Sequence, residues 1–137
     1  MAVDYGDART GIAVSDISAT VAGEAWVLRE RNQKTVALTI ASEAANRGVG
    51  AIVVGHPKNM DGSLGPRAEK SERLVSLLRE NCEIEVVLWD ERLTTAGAQK
   101  ILSDSGVYGA KRKNNIDAVA ATLILEGYLS FLATAKS

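Results

Sequence analysis

The sequence predicts an α/β fold: one mixed five-stranded sheet, a three-strand antiparallel meander continued by parallel strands, flanked by helices. Three observations carry that reading. The chain opens with short β-patterned segments joined by short connections, then changes to a helical period near Thr35. Two short, continuous apolar runs, at residues 51–55 and 84–89, each follow an amphipathic stretch, as expected of parallel strands buried on both faces. Finally, 137 residues with 46% apolar composition suffice for one substantial core, so the whole chain, residues 1–137, is expected to form a single domain.

Residues 2–5 and 12–14 read as two strands joined by a turn in which Gly6 and Gly11 can supply positive φ. Met1 leaves only two residues ahead of Asp4, so the first strand is expected to be short on the side away from that acid. Residues 20–29 form a third strand, ended by the polar stretch 30–34. Val36, Ala37, Ile40, Ala41, Ala44 and Ala45 then recur at helical spacing, with Gly48 placed as the C-terminal cap.

The apolar run 51–55 leads into a loop, residues 56–66, dense in turn formers and lying past the C-terminal end of a parallel strand, where open α/β sheets place their ligands. Pro66 suits the first turn of the next helix, which runs to about Glu80 with Ala68, Leu74, Leu77 and Leu78 inward. Residues 84–89 form the last strand, ending in Asp90-Glu91-Arg92. Thr94 or Thr95 caps a short helix to about Ser103, residues 105–110 end it, and a long final helix begins near Asn114 or Asn115.

Bulk properties exclude several function classes. Sixteen basic against seventeen acidic residues give a net charge of −1, so any polyanion must be held by a local patch. Cys82 is the only cysteine, which excludes an internal disulfide and a Cys-based zinc site and suggests a reducing compartment. Its expected role is that of a small, half-buried apolar residue. No continuous apolar run approaches a membrane span and no signal-peptide layout opens the chain, so no membrane partner is expected and a cytoplasmic location is the default.

Three acidic points stand out. Asp4 sits in a strand, where a buried carboxylate needs a compensating cation and an edge carboxylate needs only water. Asp117 lies in the expected first turn of the last helix, above an apolar stripe of Ala120, Ala121, Ile124 and Tyr128; complementing the helix dipole is the simplest role for it. Asp90 and Glu91 end the last strand, and alternation points them to opposite faces without saying which faces inward. Converging carboxylates repel unless a divalent cation neutralises them, and an oxygen-only ligand set favours Mg2+ or Mn2+, the ions of the two-metal route of nucleases and polymerases. The lone histidine, His56, argues further against zinc.

Four stretches are recognisable together: Val3-Asp4-Tyr5-Gly6-Asp7-Ala8-Arg9-Thr10-Gly11-Ile12-Ala13-Val14-Ser15-Asp16, Val54-Gly55-His56-Pro57-Lys58-Asn59-Met60-Asp61-Gly62-Ser63, Trp89-Asp90-Glu91-Arg92-Leu93-Thr94-Thr95 and Asp117-Ala118-Val119-Ala120-Ala121. In this order they resemble the YqgF (RuvX) family over essentially the whole chain. The resemblance implies an RNase H-like fold of the RuvC type. It also implies a metal-dependent endonuclease, put forward both for the 5' end of pre-16S ribosomal RNA and for Holliday junctions. By that likeness Asp4, Glu91 and Asp117 are catalytic metal ligands, with Asp90 the competitor for the middle place. The sequence departs from the family at His56 and Lys58, where leucine is commoner in the loop.

Basic residues near these acids, Arg9, Arg67, Arg92 and the run Lys111-Arg112-Lys113, are candidates for holding phosphates, and Asn59 for contact with the nucleic acid. Asn59, Asp61 and Ser63 are equally well read as turn formers, and Trp26 and Trp89 as core. A junction resolvase favours a two-fold dimer cutting paired strands, whereas an RNA-processing nuclease works as a monomer or homodimer. A third reading keeps the acid-glycine hairpin as a phosphate-binding element resembling that of actin-like and sugar-kinase proteins, in a chain that binds nucleic acid or nucleotide without cutting.

Overall fold

A strand with small and β-branched residues on both faces belongs at the centre of a sheet, and the first strand takes that place. The computed structural model describes residues 1–15, 22–59, 61–91 and 109–135. It contains strands β1 (Ala2–Asp4), β2 (Arg9–Ser15), β3 (Ala22–Arg29), β4 (Ala51–His56) and β5 (Glu85–Asp90), with helices α1 (Gln33–Arg47), α2 (Pro66–Asn81) and α3 (Gly109–Ala135). The sheet order is β3-β2-β1-β4-β5. β1, β2 and β3 form the antiparallel meander, while β4 runs parallel to β1 and β5 parallel to β4. The short helix expected over residues 94–103 lies outside the described residues.

Two faces of the sheet are covered differently. Val3, Ile12, Val14, Ile52, Val54 and Val86 meet Val36, Ile40 and Ala44 of α1 and Leu74, Val75 and Leu78 of α2. On the other face Ala2, Ala13 and Val53 meet Ala121, Ile124, Leu125 and Leu129 of α3. Helix ends follow the local chemistry. The Asn32 side chain accepts from the Thr35 N–H at 3.0 Å, Gly48 closes α1 with φ 67°, and Pro66 opens α2. Leu77 and Cys82 pack at the margin of the first core as half-buried residues, as does Trp26, whose ring lies under the Arg47 guanidinium at 4.6 Å.

Three expectations need correction. Helix α3 starts at Gly109 rather than near Asn114, because alanine, lysine and arginine extend a helix well without adding any apolar periodicity. Gly11 lies inside β2 rather than in the turn, and among the described glycines only Gly48 and Gly62 have positive φ, so neither Gly6 nor Gly11 does. Residues 116–134 of α3 are, by length and composition, apolar enough to cross a membrane, although the run is interrupted by Asp117 and Glu126. That segment packs along one face of the sheet, against β1, β2, β3 and β4.

Candidate active site

Asp4 ends β1 on the face covered by α3, and only 9% of it is exposed. Burial first, then the neighbouring Glu91 charge, push its carboxyl up to about 8; Arg67 pulls the other way and Asp117 adds to the rise. Glu91 is also raised, chiefly by burial and against the attraction of Arg67, and the two carboxyls share a hydrogen bond. The hydrogen bond favours a proton on Asp4 and the charge on Glu91, so the pair holds one proton between two acids.

Strand alternation accounts for Glu91 rather than Asp90 meeting Asp4. Trp89 packs edge-on to Tyr128 of α3, with ring centroids 5.9 Å apart, so it points to the α3 face. Val86 belongs to the opposite face, which Asp90 shares by the two-residue period, and Glu91 returns towards α3. Gly55, opposite Trp89 in the register, leaves the necessary room: a Cβ there would lie 2.7 Å from the Ile124 Cδ1 and 2.9 Å from the Glu91 carboxyl carbon.

Asp117 arrives from α3. With the helix starting at Gly109 it stands two turns inside, so a helix-dipole role in the first turn does not apply. Its backbone is brought down onto the sheet at Gly11, the residue opposite Asp4: a Cβ on Gly11 would collide with the Asp117 carbonyl. Sequence reasoning treated Gly11 as a turn residue and passed over Gly55. The available signal was a glycine inside each β-patterned run, which marks close approach of another segment.

The other candidates divide. Arg9 is exposed at the same end of the sheet, and Arg67 is exposed on the first turn of α2. Asn59 is committed within its loop: its side-chain amide donates to the Ser63 hydroxyl at 3.0 Å, and Ser63 donates in turn to Asp61 at 2.6 Å. Lys111, Arg112 and Lys113 are helical, with side chains outside the described residues, as is all of Arg92. His56, also missed as a site neighbour, meets Glu72 of α2 at 3.1 Å.

Among the described residues no three His, Cys, Asp or Glu side chains are already closed around one point. The donor set nevertheless suits a hard divalent cation: the buried Asp4 carboxyl in contact with the half-buried Glu91 carboxyl, the Asp117 charge reaching Asp4, and no sulfur or imidazole in that set.

A sheet of order β3-β2-β1-β4-β5, with an acid at the end of its central strand and another on the helix that crosses it, is the frame of RNase H-like proteins of the RuvC type. The fold is similar to Thermus thermophilus RuvC in complex with a Holliday junction substrate, with TM-score 0.57 and 15% identity over 96% of this chain and 94% of that one. A second T. thermophilus RuvC structure gives TM-score 0.53 at 14% identity, covering 94% and 93%.

The chain belongs to the RuvX family of nucleases, whose model, described as Holliday junction resolvase, matches residues 1–131. Curated relatives named "Putative pre-16S rRNA nuclease" include those of Halothermothrix orenii, 42% identical over 96% of this chain and 94% of the relative, and Halalkalibacterium halodurans, 44% identical over 94% of each.

Proposed function

We propose that the chain is a divalent-metal-dependent endonuclease that hydrolyses phosphodiester bonds at the 5' end of pre-16S rRNA, carried by one domain and working in the cytoplasm. The observation that carries this reading is the convergence of buried Asp4 and half-buried Glu91 in a hydrogen-bonded contact, with the Asp117 charge acting on Asp4. Asp4, Glu91 and Asp117 would hold Mg2+ or Mn2+. When bound, the cations supply the positive charge that lets these acids ionise together and that offsets charge building on the phosphodiester, by a two-metal route.

The chain's own groups do the rest. On metal binding Asp4 and Glu91 would release their shared proton to solvent water and offer oxygens only. Arg67, exposed next to the acids, and Arg9 hold phosphates on either side. A second reading, resolution of four-way DNA junctions, is favoured by the RuvX family's description. It calls for a two-fold dimer in solution, which sedimentation would detect.

The test is cleavage of end-labelled pre-16S leader RNA and of a synthetic four-way DNA junction, each with Mg2+, Mn2+ or EDTA, beside Asp4→Asn. Metal-dependent cutting of one substrate, lost in the variant, supports the nuclease and chooses its substrate. If folded protein cuts neither, the nuclease reading falls. Saturable ATP binding would then favour the non-catalytic alternative.

A further inference from the structure

Arg9 of β2 lies directly opposite Arg29 of β3 in the antiparallel register. Like charges in that position destabilise a strand pair. Both residues are exposed, and among the described residues neither forms an ion pair. The described acids nearest them along the chain are engaged elsewhere. Asp7 accepts from Lys70 at 2.7 Å, Glu30 accepts from the backbone N–H of Arg31 at 2.9 Å, and Glu24 is held by Arg47 at 3.0 Å.

The pair sits on the working face of the sheet. Gly11, two residues beyond Arg9, faces the Asp117 backbone, and Ala13, two further on, packs under α3. Arg9, and Arg29 across from it, therefore share the α3 face with Asp4. Because Asp4 is opposite Gly11, strand spacing and rise put the Arg9 backbone roughly 8 Å from that of Asp4. Two guanidinium groups there carry charge that no described acid pairs.

We infer that Arg9 and Arg29 form a two-arginine clasp for a backbone phosphate of the nucleic-acid strand, beside the bond to be cut and on the β3 side of the carboxylates. This rests on the nuclease reading and adds Arg29 to it. A phosphate between the two guanidiniums turns the cross-strand repulsion into a pair of charge-assisted contacts, which accounts for a register that otherwise only costs stability. Arg29, on the edge of the meander, thereby sets on which side of the acids the strand lies.

The test uses full-length protein with Asp4→Asn in the background, so that nothing is cut, and measures fluorescence anisotropy of labelled pre-16S leader RNA and of a four-way DNA junction. Salt is varied for the parent and for Arg9→Gln, Arg29→Gln, both together, and Arg29→Lys. Losing both arginines, and with them the one clasped phosphate, should lower the slope of log affinity against log salt by about 0.9 on duplex or about 0.7 on single strand, and each single variant should weaken binding. At about 0.1 M salt the duplex value corresponds to roughly eightfold weaker binding in the double variant. Arg29→Lys should keep the slope. Without nucleic acid, Arg29→Gln should melt about 1–3 °C higher, which also shows that it folds. Tight binding by the parent with an unchanged affinity in Arg29→Gln, or an unchanged slope in the double variant, overturns the clasp and leaves the nuclease reading standing. If the parent binds neither nucleic acid, both fall.

Discussion

The two faces of the sheet are built from different residues for different ends. Under α1 and α2 the contacts are large and branched, with Ile12, Ile40, Ile52, Leu74 and Leu78 fully buried. Under α3 the sheet offers Ala2, Asp4, Gly11, Ala13 and Gly55, small side chains around one carboxylate. The first face buries apolar area, which stabilises in proportion to that area. The second gives up such area so that a helix backbone can approach the sheet and bring Asp117 to Asp4. One face supplies the stability against which the other can hold charges that oppose folding.

Breaking the charged face should have the largest effect. Asp4→Asn keeps the shape and removes a ligand oxygen's charge, so cleavage should fall by at least about 1,000-fold, some 4 kcal/mol in the barrier. The metal-free protein should become more stable, since a buried carboxyl is exchanged for a neutral amide. Loss of both activity and stability would mean that Asp4 is a structural acid.

Breaking the apolar face should do the reverse. Leu74 is fully buried between α2 and the sheet, so Leu74→Ala should cost about 3 kcal/mol in denaturant unfolding. The cleavage rate per folded molecule should stay within about twofold, because no site residue leans on that side chain. A large rate loss in fully folded Leu74→Ala would show that the two faces are coupled.

Gly11→Ala tests the approach itself. The added methyl meets backbone, the Asp117 carbonyl, and α3 must lift. A loss of about 2 kcal/mol is expected, together with a cleavage loss larger than in any variant of equal stability on the other face. Gly55→Ala should be milder, because there the new methyl meets the side chains of Ile124 and Glu91, which can turn aside.

This division of labour was only half legible in the sequence. The stripes that build the first face recur at helical spacing, and Gly48 and Pro66 mark their ends by backbone chemistry, so α1 and α2 could be bounded from residues alone. Asp4 was legible because an acid in an apolar strand is costly. The choice between Asp90 and Glu91 was not, since alternation fixes relative faces only, and the anchor is a tertiary contact of Trp89 with Tyr128. The start of α3 was hidden because its first residues, Gly109 to Asn115, carry no apolar period. Gly11 was read as a turn residue because its partner is a backbone carbonyl more than one hundred residues away in sequence, which no local pattern records.

The smallest effect is the most specific to the acid pair. Unfolded, Asp4 ionises near 3.8; folded, it keeps its proton up to about 8. Between those values the folded state binds a proton that the unfolded state lacks, so stability from this group is full below the lower value and falls as pH rises to the higher. Asparagine has no such proton. In EDTA the stability of Asp4→Asn relative to the parent should therefore be near zero at about pH 4 and grow steadily as pH rises to about 8. Glu91 shifts in the same direction but is present in both proteins, so the difference isolates Asp4. Adding Mg2+ at pH 8 should close the gap by stabilising the parent alone. A gap that does not change with pH would mean that Arg67 already balances the buried charge, and the α3 face would then be no less stable than the other.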